Sequence, residues 1–343
     1  MQEYLPDRLP SPGRSPTRRL VLWALTIVEV MALAGCADSC SSNPQLLATS
    51  MSEPAATPTP PAIVYVADCG AVCGGAHPTT VTAYDGQGNQ VALTGGFPGI
   101  TGNNGITYSA KNGGIYVADC GTCYATGATT VEAFSLQGKA VTLGSSAFSG
   151  LQQPGITYAS GNGVLYVADY KQNKILPFDL FGDPVTVSGS FAGLNGPYAM
   201  AYVPDKRHLY VANFNADTMS VFDLQGNAVS TSGSWAGLSG PAGMTYVPAN
   251  HLLYVTNKAG STPNTVTVYD LSGNPQALAG SFAGVDQPIG IAYSAKTGVL
   301  YVGNATGVSP SGSMSVFNLD GTPHAVSGSW ANVDVPIGVT TTQ

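Results

Sequence analysis

A tyrosine inside a short β-like run returns six times along the chain, and no other feature constrains the fold as tightly. It falls at Tyr65, Tyr116, Tyr166, Tyr210, Tyr254 and Tyr301, at spacings of 51, 50, 44, 44 and 47 residues. A period in the forties with strand-like rather than helical patterning is the mark of a propeller blade. The unit beginning at Pro197 is the clearest. Residues 198–202, 208–212, 219–222 and 228–235 are four runs rich in β-branched and aromatic residues, bounded by Gly, Pro, Asn or Asp. Between runs three and four a glycine recurs at a fixed place: Gly88, Gly138, Gly182, Gly226, Gly273 and Gly321. It follows an Asp, Ser or Asn by three residues, as suits a hairpin turn that needs φ > 0.

The first run of each unit carries a packing rule. Gly105, Gly155, Ala199, Gly243, Gly290 and Gly338 alternate with Ile106, Ile156, Met200, Met244, Ile291 and Val339. Side chains alternate across a strand, so each run has a small face and a large one, as blades crowded around an axis require. Phe191, Trp235, Phe282 and Trp330, in a repeated Gly-Ser-Phe/Trp-Ala context, are expected to wedge between blades. The first unit opens on its second strand at Ile63, and the last is followed by a lone first strand from Pro336. The expected fold is therefore all-β: a six-bladed β-propeller of four-stranded blades, the first blade closed by the C-terminal strand.

The run Pro-x-Gly-Ile-x-Tyr, then Leu-Tyr-Val-Ala-Asp/Asn, then Val-Phe-Asp-Leu-x-Gly-Asn resembles the NHL and YVTN families of bacterial β-propeller repeats, over residues 63–343. The resemblance implies the fold and leaves the function open, since such propellers include ligand- and protein-binding scaffolds and some enzymes.

Residues 1–35 read as a targeting segment. Arg14, Arg18 and Arg19 precede an apolar run, and Leu33-Ala34-Gly35-Cys36 resembles a bacterial lipobox that would leave Cys36 acylated at the mature N-terminus. In lipoproteins an Asp after that cysteine favours inner-membrane retention; Ala37 stands there, so the expected address is the outer membrane of the cell envelope. Residues 36–61, rich in Ser, Thr and Pro, form a tether, and residues 62–343 the propeller, expected to be monomeric. From Ile63 onward eight Lys/Arg stand against fourteen Asp/Glu, a net charge of −6 that excludes nucleic acid and leaves the lipid as the one membrane contact.

Cys69 and Cys73 in the first unit and Cys120 and Cys123 in the second follow Ala-Asp at the end of the second strand. In an exported protein a disulfide within each loop is expected; a bridge between the two blades, or a four-thiolate zinc site, is the alternative. Asp68, Asp119, Asp169, Asn213, Asn257 and Asn304 end the six second strands on one rim. Their recurrence in every unit points to capping, and the competing reading is a Ca²⁺ site at the channel mouth. Tyr124, Tyr170 and Phe214 lie on the same rim, which the irregular loops make the expected binding face for a protein or glycan partner. A scaffold with no cofactor is the expected function. The alternative is a Ca²⁺-dependent hydrolase of the lactonase type, although Glu132 is the one Glu after Ile63 and the four histidines share no repeat position.

Overall fold

A computed structural model describes residues 63–73, 75, 77–121, 129–144, 148–258, 264–305 and 312–342. All fall within one compact unit. They form six three-stranded antiparallel sheets, each with an inner, a middle and an outer strand. Sheet I is built from β18 (Pro336–Thr341), β1 (Ile63–Asp68) and β2 (Thr80–Asp85); sheet II from β3 (Asn103–Ser109), β4 (Gly114–Asp119) and β5 (Thr130–Ser135). Sheet III comprises β6 (Pro154–Ala159), β7 (Val164–Asp169) and β8 (Lys174–Phe178), and sheet IV β9 (Pro197–Val203), β10 (His208–Asn213) and β11 (Thr218–Asp223). Sheet V holds β12 (Pro241–Val247), β13 (Leu252–Asn257) and β14 (Thr265–Tyr269), and sheet VI β15 (Pro288–Ser294), β16 (Val299–Asn304) and β17 (Ser313–Phe317). The arrangement is propeller-like. The C-terminal β18 pairs with β1 in the order expected, Val66 opposite Val339 and Ala67 opposite Gly338.

The expected fourth strand is corrected. In each sheet the segment after the turn makes a single bridge to the outer strand, as Phe222 does with Ala228, and then leaves. The cause is an aromatic residue held at positive φ: Phe97, Phe148, Phe191, Trp235, Phe282 and Trp330, all between 48° and 53°. A left-handed aromatic turns the chain away from its own sheet. Its N–H then bonds the turn glycine of the next sheet, as Phe97 does with the Gly138 carbonyl (2.9 Å) and Trp330 with that of Gly88 (3.0 Å). The aromatic ring packs on the same glycine, so a Cβ at Gly273 would meet the Trp235 indole at 2.5 Å. The turn glycine thus answers two needs at once, positive φ and room for a ring.

The repeated tyrosine is the second latch between sheets. Each sits on a middle strand and is almost fully buried, and its hydroxyl donates to a turn carbonyl of the following sheet. Tyr65 reaches Leu136, Tyr116 Leu180, Tyr166 Leu224, Tyr210 Leu271 and Tyr254 Leu319. The sixth, Tyr301, reaches Gly86 in sheet I at 3.0 Å, which completes the circuit. Burial raises these phenols, Tyr65 and Tyr210 to about 12. The apolar core is divided in the same way, one cluster between each pair of neighbouring sheets, the cluster of Val64, Val66, Val299 and Val339 joining VI to I.

Candidate functional site

The rim where the middle strands end carries most of the residues singled out in the sequence. Asp68, Asp119, Asp169, Asn213, Asn257 and Asn304 are all at most 3% exposed, so their side chains are withdrawn from the surface of that rim. Each instead clamps the loop that enters its own inner strand. The backbone N–H two residues before that strand's first residue donates to the side chain in all six sheets: Thr101 to Asp119, Gln152 to Asp169, Asn195 to Asn213, Ser239 to Asn257, Asp286 to Asn304 and Asp334 to Asp68. Side-chain oxygens saturated by backbone amides are caps.

The choice between Asp and Asn follows what lies across the sheet. In sheets IV to VI the amide NH₂ donates to hydroxyls on the outer strand: Asn213 to Ser220, Asn257 to Thr267 and Asn304 to Ser315, each 2.9 Å. Sheet I has Thr80 and Thr82 at those positions but keeps an acid, Asp68. Burial pushes the Asp68 carboxyl up, against the backbone donors that lower it, and the neighbouring Asp334 adds to the rise. A carboxyl raised on folding stabilises the protein below that folded value and loses the contribution as pH rises through it. Wild type should therefore lose melting temperature relative to Asp68→Asn as pH rises above about 4. At lower pH the variant is the less stable of the two, because both carboxyl oxygens accept backbone N–H groups, from Asp334 and Val335, and the new NH₂ faces one of them. Asp169→Asn faces Lys174 and Leu176 and leaves an NH₂ against a backbone donor, for an expected loss of about 1–3 kcal/mol. Thermal melts across pH check both.

Cys69 and Cys73 form a disulfide that spans a short 3₁₀ turn, Gly70–Cys73, as expected for the first loop. The loop is tied down by Ala71 N–H to the His77 carbonyl and by Thr79 to the Cys69 carbonyl. Cys120 is buried and also disulfide-bonded. Cys123 and Tyr124 lie outside the described residues, as do Cys36 and the tether.

Tyr170 and Phe214 do meet, around a residue the sequence reading missed. Tyr198, second on inner strand β9, packs edge-on against Tyr170 (6.0 Å between centroids) and tilted against Phe214 (5.6 Å). The Tyr170 hydroxyl donates to Asn215 Oδ1 and the Tyr198 hydroxyl to Asn104 Oδ1 of sheet II. Tyr198 and Phe214 also pack with Cys69, Ala242, Ile289 and Ile337, an apolar cover over one end of the central channel. The signal for Tyr198 was its place: the matching residues are Asn104, Pro154, Ala242, Ile289 and Ile337, none aromatic.

Below that cover the six inner strands enclose a cavity of about 360 Å³. Glycine, Ala, Thr, Ile, Met and Tyr dominate its wall, and no Asp, Glu, His, Lys or Arg among the described residues lines it. Its far end is ringed by Tyr108, Tyr158, Tyr202, Tyr246 and Tyr293. There the structure assembles a group the sequence kept apart. The Tyr246 hydroxyl lies 3.0 Å from both Asp205 Oδ2 and His251 Nδ1, and His251 pairs with Asp205 at 3.2 Å. Burial and then Asp205 push the Tyr246 phenol up to about 12. Among the described residues no three His, Cys, Asp or Glu are grouped to hold a metal ion, and no helix is long and apolar enough to cross a membrane.

No protein-family model matches the chain, and no curated protein does. Solved structures do. A chain of a nidogen–laminin complex superposes with a TM-score of 0.60 at 13% identity, over 82% of this chain and 98% of that one. A proposed 6-phosphogluconolactonase from Bacteroides fragilis NCTC 9343 does so with 0.58 at 12% identity, over 84% and 100%. At such identities the likeness is one of fold, and the fold it supports is an all-β, propeller-like ring of six antiparallel sheets.

Proposed function

We propose that the protein is a non-catalytic binding or scaffold module of the bacterial cell envelope, with a repeat of the NHL/YVTN type. In this reading a lipid on Cys36 and the tether of residues 36–61 hold it to the outer membrane, and a protein or glycan partner docks on the cysteine-bearing rim. The observation that carries it is the cluster of Tyr170, Tyr198 and Phe214. The clamps of that rim repeat six-fold, whereas the aromatic cluster occurs once, and a recognition site is where symmetry breaks. Half-buried aromatic rings with amide side chains beside them are the usual anchors of recognition surfaces.

The runner-up is a lactonase-type hydrolase, favoured by the fold shared with the B. fragilis protein. The wall of the channel speaks for the scaffold, because the described residues offer no carboxylate or imidazole there to hold a metal or move a proton.

A photoreactive benzoylphenylalanine at position 214 of the full chain should give a discrete cross-linked product in intact cells. The same group at Phe181, 70% exposed and outside the rim, should give none. No product from position 214, or the same product from both, sinks the binding reading, and hydrolysis of 6-phosphogluconolactone by the purified protein would favour the runner-up. The anchor is tested separately by fatty-acid labelling, which Cys36→Ala should abolish.

A further inference from the structure

The loops joining inner to middle strands surround the far mouth of the channel, away from the aromatic rim. They hold Lys111, Lys206, Arg207 and Lys296, half of the eight Lys/Arg of a domain whose net charge is −6. Their one acid, Asp205, has an oxygen engaged by Tyr246 and His251. The cations thus collar the mouth while the acids of the outer-strand turns lie further from the axis.

The collar has a focus at the turn of sheet III, Ser160-Gly161-Asn162-Gly163. Lys111 reaches over it from sheet II, so that a Cβ at Gly163 would lie 2.8 Å from the ammonium. The Tyr202 hydroxyl from sheet IV lies against Gly161, where a Cβ would collide with it. Arg207 acts electrostatically on the same phenol, opposing the rise that burial causes. Ser160 and Tyr158 line the cavity here, and neither hydroxyl makes a hydrogen bond among the described residues. Two cations therefore stand about this turn, with the Ser160 and Tyr158 hydroxyls beside them, at the entrance to a sugar-sized cavity.

Arg207 carries a second mark. The matching residues in sheets II, III and VI are Gly113, Gly163 and Gly298, at φ of 67° to 73°, whereas sheet IV holds Arg207 at 55° and sheet V holds His251, the partner of Asp205 and Tyr246, at 58°. A non-glycine residue is strained at such a φ, and the turn does not need it. Backbone strain of this kind tends to persist where a side chain has work to do.

We propose that this mouth binds an anionic sugar, its carboxylate or phosphate held by Lys111 and Arg207 over the sheet III turn and its hydroxyls by Ser160, Tyr158 and the channel threonines. The site is independent of the aromatic rim and requires no catalysis. A planar guanidinium and an ammonium recognise an oxyanion by charge-assisted hydrogen bonds, while the uncharged wall with Tyr and Thr hydroxyls suits the polyol.

Calorimetric titration of the purified protein with galacturonate, gluconate, glucose 6-phosphate, inorganic phosphate and neutral galactose tests it. At least one anionic sugar should bind with a Kd on the order of 1 mM, weakening with salt, and galactose and phosphate should give no saturable heat. The sugar acids and the sugar phosphate tell the two anion types apart. Arg207→Gly should weaken binding at least ~10-fold without lowering the melting temperature, because glycine is at ease at that φ; Lys111→Met should weaken it likewise. No heat with any anionic sugar, binding of inorganic phosphate as tight as that of the sugar, or an unchanged Kd in both variants would overturn the proposal.

Discussion

Gly243→Ala is expected to destabilise the protein by about 3 kcal/mol or more, a fall in melting temperature of roughly 6–12 °C for a domain of this size. Gly243 lies on inner strand β12, and a Cβ there would collide with the backbone carbonyl of Ile289 on β15 and lie 2.8 Å from Thr256 Oγ1. A backbone carbonyl cannot swing aside as a side chain can. The whole of sheet VI would have to back away, against latches that hold it to both neighbours. The matching change at Gly105 supplies the control. There the nearest atom to a new Cβ is 3.3 Å away, and Ala199 fills the same position in sheet IV. Gly105→Ala should cost less than about 1 kcal/mol. Thermal melts of the two variants side by side check the claim, and equal losses would show that inter-sheet contact is not what excludes a side chain.

Ending the chain after Val335 should have a still larger effect, abolishing the cooperative transition. The lost strand β18 is the inner strand of sheet I and the closing edge of the ring. It buries Val339 against Val64 and Val66, places Ile337 in the channel cover, and sends the Thr341 hydroxyl to the Tyr293 carbonyl of sheet VI. Burying two such side chains is worth about 1.5–3 kcal/mol each, and the strand's hydrogen bonds add to this. That loss is comparable to the ~5–15 kcal/mol that holds a typical domain together. The trimmed chain should melt broadly or not at all by circular dichroism, and a sharp transition within a few degrees of wild type would contradict a ring closed by β18.

Most of the architecture was legible because the repeat writes each device six times. The middle-strand tyrosine, the small face of the inner strand and the turn glycine each have a local pattern, and ring closure followed from a chain that starts on a middle strand and ends on an inner one. The fourth strand was misread for a physical reason. Segments such as 228–235 have strand-like composition, but their fate is decided by a left-handed Trp235 whose N–H goes to Gly273 of the next sheet. No window along one unit contains that partner. The same limit hid Phe97 and Phe148, the two latch aromatics outside the Gly-Ser-Phe/Trp-Ala pattern. On the rim, Tyr170 and Phe214 were visible from their loops, while Tyr198 was taken for an inner-strand residue like its neighbours. The meeting of Lys111, Tyr202 and Arg207 over Gly161 and Gly163 joins three sheets and leaves no trace in spacing.

The strand-end ring is built as a set of six clamps. Every one of its side chains accepts the backbone N–H of the loop entering its own sheet. The most direct test is the calcium content of the purified protein, together with its melting temperature with and without chelator. No stoichiometric calcium and an unchanged melting temperature are the predicted results. One calcium per chain and a clear fall on chelation, as linkage to a bound ion demands, would contradict the clamps and move the protein toward a metal-dependent hydrolase.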